Sequence, residues 1–276
     1  MDCENEDHLK NLVQSTRTLL ENIGGTELLQ KELDYYQPNK LRAKFPTINH
    51  VHVRLCDSIR NTQRMRLVIT DSRFELIAKQ LLNCPLDLIC HRGIEFITEV
   101  IRINCQLPDD AQERRRSWHI FKCGVVQAAH YPSVFGSAKQ FYHYVDSNVQ
   151  TMDEAWNLAL ELDAIKGIGP PLACDFLKEI GVDRYGKPDV HIKRTFSKLK
   201  LINNINQDRG AFEVLWQMAS ASNCAPAVVD KIFWMASSGR WDRTLDKELA
   251  AGPKSMARTH RKQRFNTLLD QFTREN

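Results

Sequence analysis

The sequence lacks most of the features that settle a protein's class at a glance. It has no apolar run approaching the ~20 residues that span a bilayer, which argues against a membrane protein. None of its eight cysteines (Cys3, Cys56, Cys84, Cys90, Cys105, Cys123, Cys174 and Cys224) forms a CxxC pair, so a zinc ribbon has no support. Their spacing is irregular and the chain is long, a pattern that reads as reduced thiols rather than a disulfide framework. Met1 is followed by the acidic stretch Asp2-Cys3-Glu4-Asn5-Glu6-Asp7, not by a basic region and an apolar run, so no secretory signal is expected. The expected location is intracellular: cytoplasmic and nucleoid-associated in a bacterium, nuclear in a eukaryote. No charge of one sign dominates, because 38 Lys and Arg face 34 Asp and Glu for a formal net charge of +4. That balance permits nucleic-acid binding without demanding it. There is no internal repeat and no low-complexity tract.

What is present is a globular composition with helical periodicity. The 276 residues suffice for one large domain or two lobes with a core of their own. Apolar residues recur at helical spacing over 8–36, with a break at Gly24-Gly25. A loop is expected through Pro38 and Pro46, and the alternation of Val51, Val53 and Leu55 suggests a short strand over His50–Leu55. Segments 72–82 and 93–105 read as amphipathic helices separated by a turn at Pro85. A charged link over 108–117 contains Arg114-Arg115-Arg116, and further helices are expected around 118–129 and 137–146.

The signals sharpen from residue 151. Thr151-Met152-Asp153-Glu154 is a capping box, in which the threonine hydroxyl caps the first turn and Glu154 reaches back. The helix it opens carries Trp156, Ala159, Leu160 and Leu162 and ends in the turn Ile165-Lys166-Gly167-Ile168-Gly169. Pro170 and Pro171 suit the first turn of a second helix, where amide donors have no helical partner, and Gly181 stops that helix. Pro226 opens a later helix that Gly239 ends.

Two helices joined by Gly-Ile-Gly are suited to gripping a phosphate. Glycine lets the backbone come close, and the second helix offers free N–H groups and the positive end of its dipole. Such a hairpin holds a nucleic-acid backbone without reading sequence. An ordinary αα turn has the same form, so the hairpin alone leaves the question open. A second segment follows: Asp189 lies twenty positions after Gly169, in Gly186-Lys187-Pro188-Asp189-Val190-His191-Ile192-Lys193-Arg194.

Together the two segments resemble the helix-hairpin-helix DNA glycosylase superfamily, whose members include endonuclease III, alkyladenine glycosylase and 8-oxoguanine glycosylase. The family pattern L-x-G-[IV]-G-x-x-x-A is matched by Ile165 through Ala173. Its later D-[TV]-H-[VI]-x-R is matched by Asp189 through Arg194. The match covers about residues 151–200. The resemblance implies a mainly α-helical, two-lobed fold, with the hairpin and Asp189 at the mouth of a cleft. The expected organisation is an N-terminal segment 1–70 contributing to one lobe, a core lobe over 71–200, and C-terminal helices 201–276 completing the first. It also implies excision of a damaged or modified base from double-stranded DNA by an enzyme that is expected to be a monomer. The catalytic carboxylate would be Asp189, with Lys166, Gly167, Ile168, Gly169, His191, Lys193 and Arg194 on the DNA. A K⁺ or Na⁺ ion held by the backbone carbonyls of Asp163, Ile165 and Ile168 belongs to the same expectation. Chemistry agrees: N-glycosidic cleavage builds positive charge on the sugar, which one adjacent carboxylate can stabilise while it aligns water. An Asp at a helix start is also a common N-cap, and the two roles are compatible. The base must leave the duplex to be reached.

Two departures from the family matter. Bifunctional members carry a Schiff-base lysine two residues after the second hairpin glycine, where this chain has Pro171. Water is therefore the expected nucleophile. Strand cleavage through another lysine such as Lys166, or catalytically silent DNA binding, are the rivals. Beyond Asp189 only Cys224 remains, so the four-cysteine iron–sulfur cluster of endonuclease III-type enzymes is not expected. The acid-free run Lys254, Arg258, His260, Arg261, Lys262 and Arg264 either extends the DNA face or is a solvated helix face. Tyr131, Phe135, Phe141, Tyr142 and Tyr144 are mostly core, with some available to line a base pocket. Asn83 and Gln106 both end apolar helical runs and are equal choices to fill the gap left by a flipped base.

Overall fold

The computed structural model describes residues 3–62, 65–107, 116–241 and 258–274. Those residues are helical, with turns and loops between the helices and no strand. They include α1 (Cys3–Gly24), α2 (Thr26–Asp34), α3 (Pro38–Arg42), α4 (Ile48–Arg60), α5 (Asp71–Leu82), α6 (Leu86–Cys105) and α7 (Arg116–Ser133). The chain continues through α8 (Ala138–Ser147), α9 (Met152–Asp163), α10 (Pro170–Glu179), α11 (Val190–Lys198), α12 (Asp208–Ala221), α13 (Pro226–Ser238) and α14 (Arg258–Arg274).

The helices fall into two compact units. One is made of both chain ends, 1–40 and 181–276; the other is the continuous stretch 41–180. The boundaries differ from those expected at 70 and 200. Residues 41–70 join the middle unit because α4 packs on α5, α7 and α10. The Asp189 segment joins the two-ended unit because α11 packs on α12, α13 and α14.

In the two-ended unit, α1 is the central post. Its Leu9, Leu12 and Leu20 are buried with Leu29 of α2, and with Ile192, Phe196, Leu215, Met218, Phe233 and Phe265 from the other chain end. Burial of each such side chain contributes about 1.5–3 kcal/mol relative to exposure, so neither end is expected to hold its helices without the other. At the end of α1, a Cβ on Gly24 would lie 2.7 Å from the Trp241 ring.

In the middle unit, α7 packs on α6 and α4, and α9 and α10 form the hairpin. The expected strand at His50–Leu55 is instead part of α4. Thr47 caps it, its hydroxyl accepting the His50 amide at 3.4 Å. The buried residues include Val51, His52, Leu55, Cys56 and Ile59, which form a helical stripe, together with Ser58 and Arg60; Val53 is only half-buried. The alternation of Val51, Val53 and Leu55 is a short subset of that stripe read out of context. The loop expected through Pro38 holds the short α3, which Pro38 opens. Helix α6 begins after Pro85, before the expected start at 93, and kinks at Gly93, whose φ of 60° is outside helical space. Most of the 108–117 link, including Arg114 and Arg115, lies outside the described residues, as does Lys254.

The aromatic cluster is a packed array. Phe141 is fully buried and meets Tyr131 and Phe135 edge-on, with centroids 6.3 and 5.4 Å apart. The Tyr144 hydroxyl donates to Glu161 Oε2 at 3.0 Å. The Tyr142 hydroxyl donates to the Phe45 carbonyl, and burial pushes its pKa up to about 12 despite the neighbouring Arg42. All seven cysteines whose side chains are described are free thiols.

Candidate nucleic-acid interface

The hairpin is formed as its sequence requires. Glu154 Oε2 accepts the Thr151 amide at 2.9 Å and Thr151 Oγ1 accepts the Glu154 amide at 3.2 Å, completing the capping box of α9. Gly169 is the N-cap of α10, and Pro170 and Pro171 occupy its first two positions. Gly167 has φ of +93°, a conformation that L side chains rarely adopt. Two prolines at the helix start leave few amides for a phosphate. Among the described residues, the N–H groups of Gly167 and Gly169 have no hydrogen-bond acceptor, and these two are the donors on offer.

The turn rests on a platform that nothing in the local sequence announced. The Thr62 hydroxyl, just beyond α4, donates to the Gly167 carbonyl. Gln127 Oε1 of α7 accepts the Lys166 amide at 2.6 Å. Gly124, one turn earlier on α7, leaves room for the turn: a Cβ there would overlap the Lys166 carbonyl oxygen and reach 3.0 Å from Ile59 Cδ1. These partners lie 39 to 105 positions away in sequence. Ile165 and Ile168 are both 5 % exposed, so Ile168 offers a DNA strand only its backbone. The Lys166 side chain is exposed and makes no ion pair among the described residues.

The carbonyls expected to hold a cation are at the end of α9 and in the turn. Ile165 O accepts the Ile168 amide at 2.9 Å, while those of Asp163 and Ile168 accept no hydrogen bond among the described residues. Oxygens of this kind suit a hard monovalent cation. No cluster of three or more His, Cys, Asp or Glu side chains with metal-binding potential occurs among the described residues.

Asp189, in the other unit, is the N-cap of α11. Its Oδ1 accepts the amides of His191 at 2.8 Å and Ile192 at 3.0 Å. Its second oxygen has no hydrogen bond among the described residues. The carboxylate is thus fixed by one oxygen and leaves the other available. Pro188, just before it, is buried.

The surroundings are basic. Burial holds the His191 imidazole below the usual histidine range; the Asp189 carboxylate opposes this, and Lys262, Arg194 and Arg258 reinforce it. Of these three cations, Arg194 is on α11 and the other two come from α14. The first turn of α14 is tied to the end of α13, Arg258 Nε donating to Ser238 O at 2.9 Å and Arg261 Nε to Gly239 O at 2.9 Å. Lys262 is beside Gly239, where a Cβ would come 2.9 Å from its Cγ. Part of the C-terminal basic run therefore caps a helix C-terminus, where cations are favoured, and part faces His191. Arg194 is exposed and unpaired among the described residues.

Lys193 does not join this set. Its Nζ lies 2.5 Å from Asp208 Oδ1, an ion pair that ties α11 to α12. Lys198 likewise meets Asp270 at 2.7 Å. A phosphate contact by Lys193, as expected from the sequence, would have to displace this local carboxylate.

No family model and no curated protein matches the sequence. The structure matches 8-oxoguanine DNA glycosylase from Methanocaldococcus jannaschii, with a TM-score of 0.53 and 18 % identity. The similarity covers 83 % of this chain and 94 % of that one. The chain therefore has the helical helix-hairpin-helix glycosylase fold.

Proposed function

We propose that the protein is a monofunctional DNA glycosylase, acting on double-stranded DNA that carries a modified base. Asp189 stabilises the oxocarbenium-like sugar as the base departs, water adds to C1′, and an intact strand with an abasic site remains. The observation that carries this reading is the carboxylate itself. A helix cap needs one oxygen, yet Asp189 keeps a second one unengaged, beside His191 and a group of cations suited to phosphate. The fold shared with a DNA glycosylase supports the same assignment.

The hairpin holds the DNA backbone through the Gly167 and Gly169 amides, with Lys166 beside them, and a K⁺ or Na⁺ ion on the carbonyls of Asp163, Ile165 and Ile168 supplies positive charge there. His191 and Arg194 make further phosphate contacts. Pro171 occupies the position of the Schiff-base lysine in bifunctional relatives and carries no amine, which supports water as nucleophile. The substrate base is alkylated, oxidised, mismatched or hypermodified. The test is a set of duplexes, each with one modified base, incubated with protein and then treated with alkali. Strands should break only after alkali, and borohydride should trap no covalent adduct. An adduct lost on replacing one lysine would overturn the monofunctional reading, and no excision from any duplex would overturn the glycosylase reading.

A further inference from the structure

The segment that carries the platform threonine also presents an apolar side chain to solvent. Leu67 is 75 % exposed, at the end of a single 3-10 turn, Met65–Leu67, between α4 and α5. Lone exposed leucines are common on protein surfaces and need no function. This one differs in how it is held and in what it is beside.

The chain on both sides of Leu67 is fastened. The Met65 amide donates to Thr62 O at 2.9 Å, and the Val68 and Ile69 amides donate to Met65 O at 2.9 and 2.8 Å. Arg73 Nη1 donates to Val68 O at 2.7 Å, and Arg60 Nη1 donates to Ile69 O at 3.4 Å and Asp71 Oδ1 at 2.6 Å. Met65 and Ile69 are buried. Leu67 therefore projects from a fixed backbone, which lowers the entropy lost when its side chain enters a partner.

Its neighbour is the hairpin. Thr62, whose hydroxyl donates to the Gly167 carbonyl, is closed in one turn onto Met65, and Leu67 is two residues further, at most about 7 Å of chain. An apolar side chain so placed is beside any DNA backbone that the Gly167 and Gly169 amides hold. The two residues that the sequence offered as gap-fillers are placed differently. Asn83 is at the other end of α4: Asn49 Nδ2 donates to the carbonyls of Leu82 and Cys84, each at 2.9 Å, ~20 Å along the helix from Thr62. Gln106 is nearer, since Cys105 Sγ is 3.7 Å from the carbonyl of Arg73, which in turn holds Val68.

We propose that Leu67 is an apolar wedge that enters the base stack where the target nucleotide leaves it. The proposal rests on the reading of the hairpin as a DNA clamp. Leucine is among the side chains that part base steps, and its burial offsets part of the cost of unstacking. It has no donor or acceptor with which to read the base left behind, so its contribution is the same opposite all four bases.

The test is binding of the whole protein to duplexes with one tetrahydrofuran residue, an abasic analogue, opposite each of the four bases, against the intact duplex of the same sequence at one ionic strength. The parent should prefer the abasic duplexes. Leu67→Ala should lower that preference about tenfold opposite every base, with intact-duplex affinity within about twofold of the parent. Leu67→Met should keep the preference. Because Leu67 is exposed, both variants should fold as the parent does. 2-Aminopurine opposite the tetrahydrofuran should brighten when the parent binds and stay dim with Leu67→Ala. Val134→Ala, at another strongly exposed apolar residue, should behave as the parent. Binding of intact duplex without abasic preference in the parent, preference retained by Leu67→Ala, a loss confined to one opposing base, or an equal loss in Val134→Ala or Gln106→Ala would each overturn the proposal. None of these readouts requires excision, so a protein that excises nothing overturns the glycosylase reading alone.

Discussion

Asp189 caps α11, and single substitutions can separate that cap from the proposed catalytic role. Asparagine is as good an N-cap as aspartate but lacks the charge, whereas alanine loses both. Asp189→Asn should therefore leave thermal stability close to the parent while lowering single-turnover excision by on the order of 10²–10³. Asp189→Ala should show the same catalytic loss and a further stability loss of about 1 kcal/mol. Excision by Asp189→Asn within tenfold of the parent would remove Asp189 from catalysis and leave it a cap. His52 makes a second prediction at this scale. Its Nε2 faces the Val125 carbonyl at 3.1 Å, and complete burial lowers its pKa to about 4. A depressed histidine pKa leaves its full contribution to stability in place above the unfolded value of 6.5. As pH falls from there to about 4, the unfolded chain takes up a proton that the folded chain refuses. The expected loss is about 3 kcal/mol across that window. Denaturant unfolding between pH 7 and 4.5 should show it, and His52→Gln should flatten the slope. An unchanged slope in that variant would assign acid sensitivity elsewhere.

At the scale of elements, the reliable signals in the sequence were those whose physics is complete within a few residues. The Thr151–Glu154 capping box, the prolines opening α10 and α13, and the glycines ending α10 and α13 all act locally, and each has the expected geometry. The α4 segment was misread because three alternating apolar residues fit both periods, and only the wider set from Val51 to Ile59 separates them. The platform under the turn was not legible, because Thr62, Gly124 and Gln127 reach it through tertiary contacts. Gly124→Ala tests that platform: the new Cβ should displace the turn, lowering stability by about 1–3 kcal/mol and weakening duplex binding, with excision of a bound base less affected. Unchanged binding would show that the turn is not the DNA clamp. The α14 run makes the complementary prediction. Lys262→Ala and Arg194→Ala should each reduce the log–log salt slope of duplex binding by roughly 0.9, whereas Lys193→Ala, already paired with Asp208, should not. Equal slopes for all three would refute the assignment of phosphate contacts to the cations around His191.

At the scale of the whole molecule, the helical class and the joining of both chain ends in one unit followed from the family resemblance, but the boundaries did not. Residues 41–70 and the Asp189 segment carry no local signal of their unit; that is decided by the packing of α4 on α5, α7 and α10 and of α11 on α12, α13 and α14. The partition predicts different fates for fragments. A fragment spanning 41–180 keeps its own core and should give a cooperative helical unfolding transition. One spanning 181–276 lacks Leu9, Leu12, Leu20 and Leu29 and should not, until a peptide of residues 1–40 is added. Cooperative unfolding of 181–276 by itself would show that α1 is dispensable to that core.

The same two-ended arrangement orders events while the chain is being made. The leucines of α1 and α2 leave the ribosome first, yet Phe233 and Phe265, against which they pack, come more than two hundred residues later. At about 5–20 residues per second, that gap is on the order of 10–50 s. During that interval the middle unit can fold completely while an apolar N-terminal face stays uncovered, open to chaperones or to the same face of a neighbouring nascent chain.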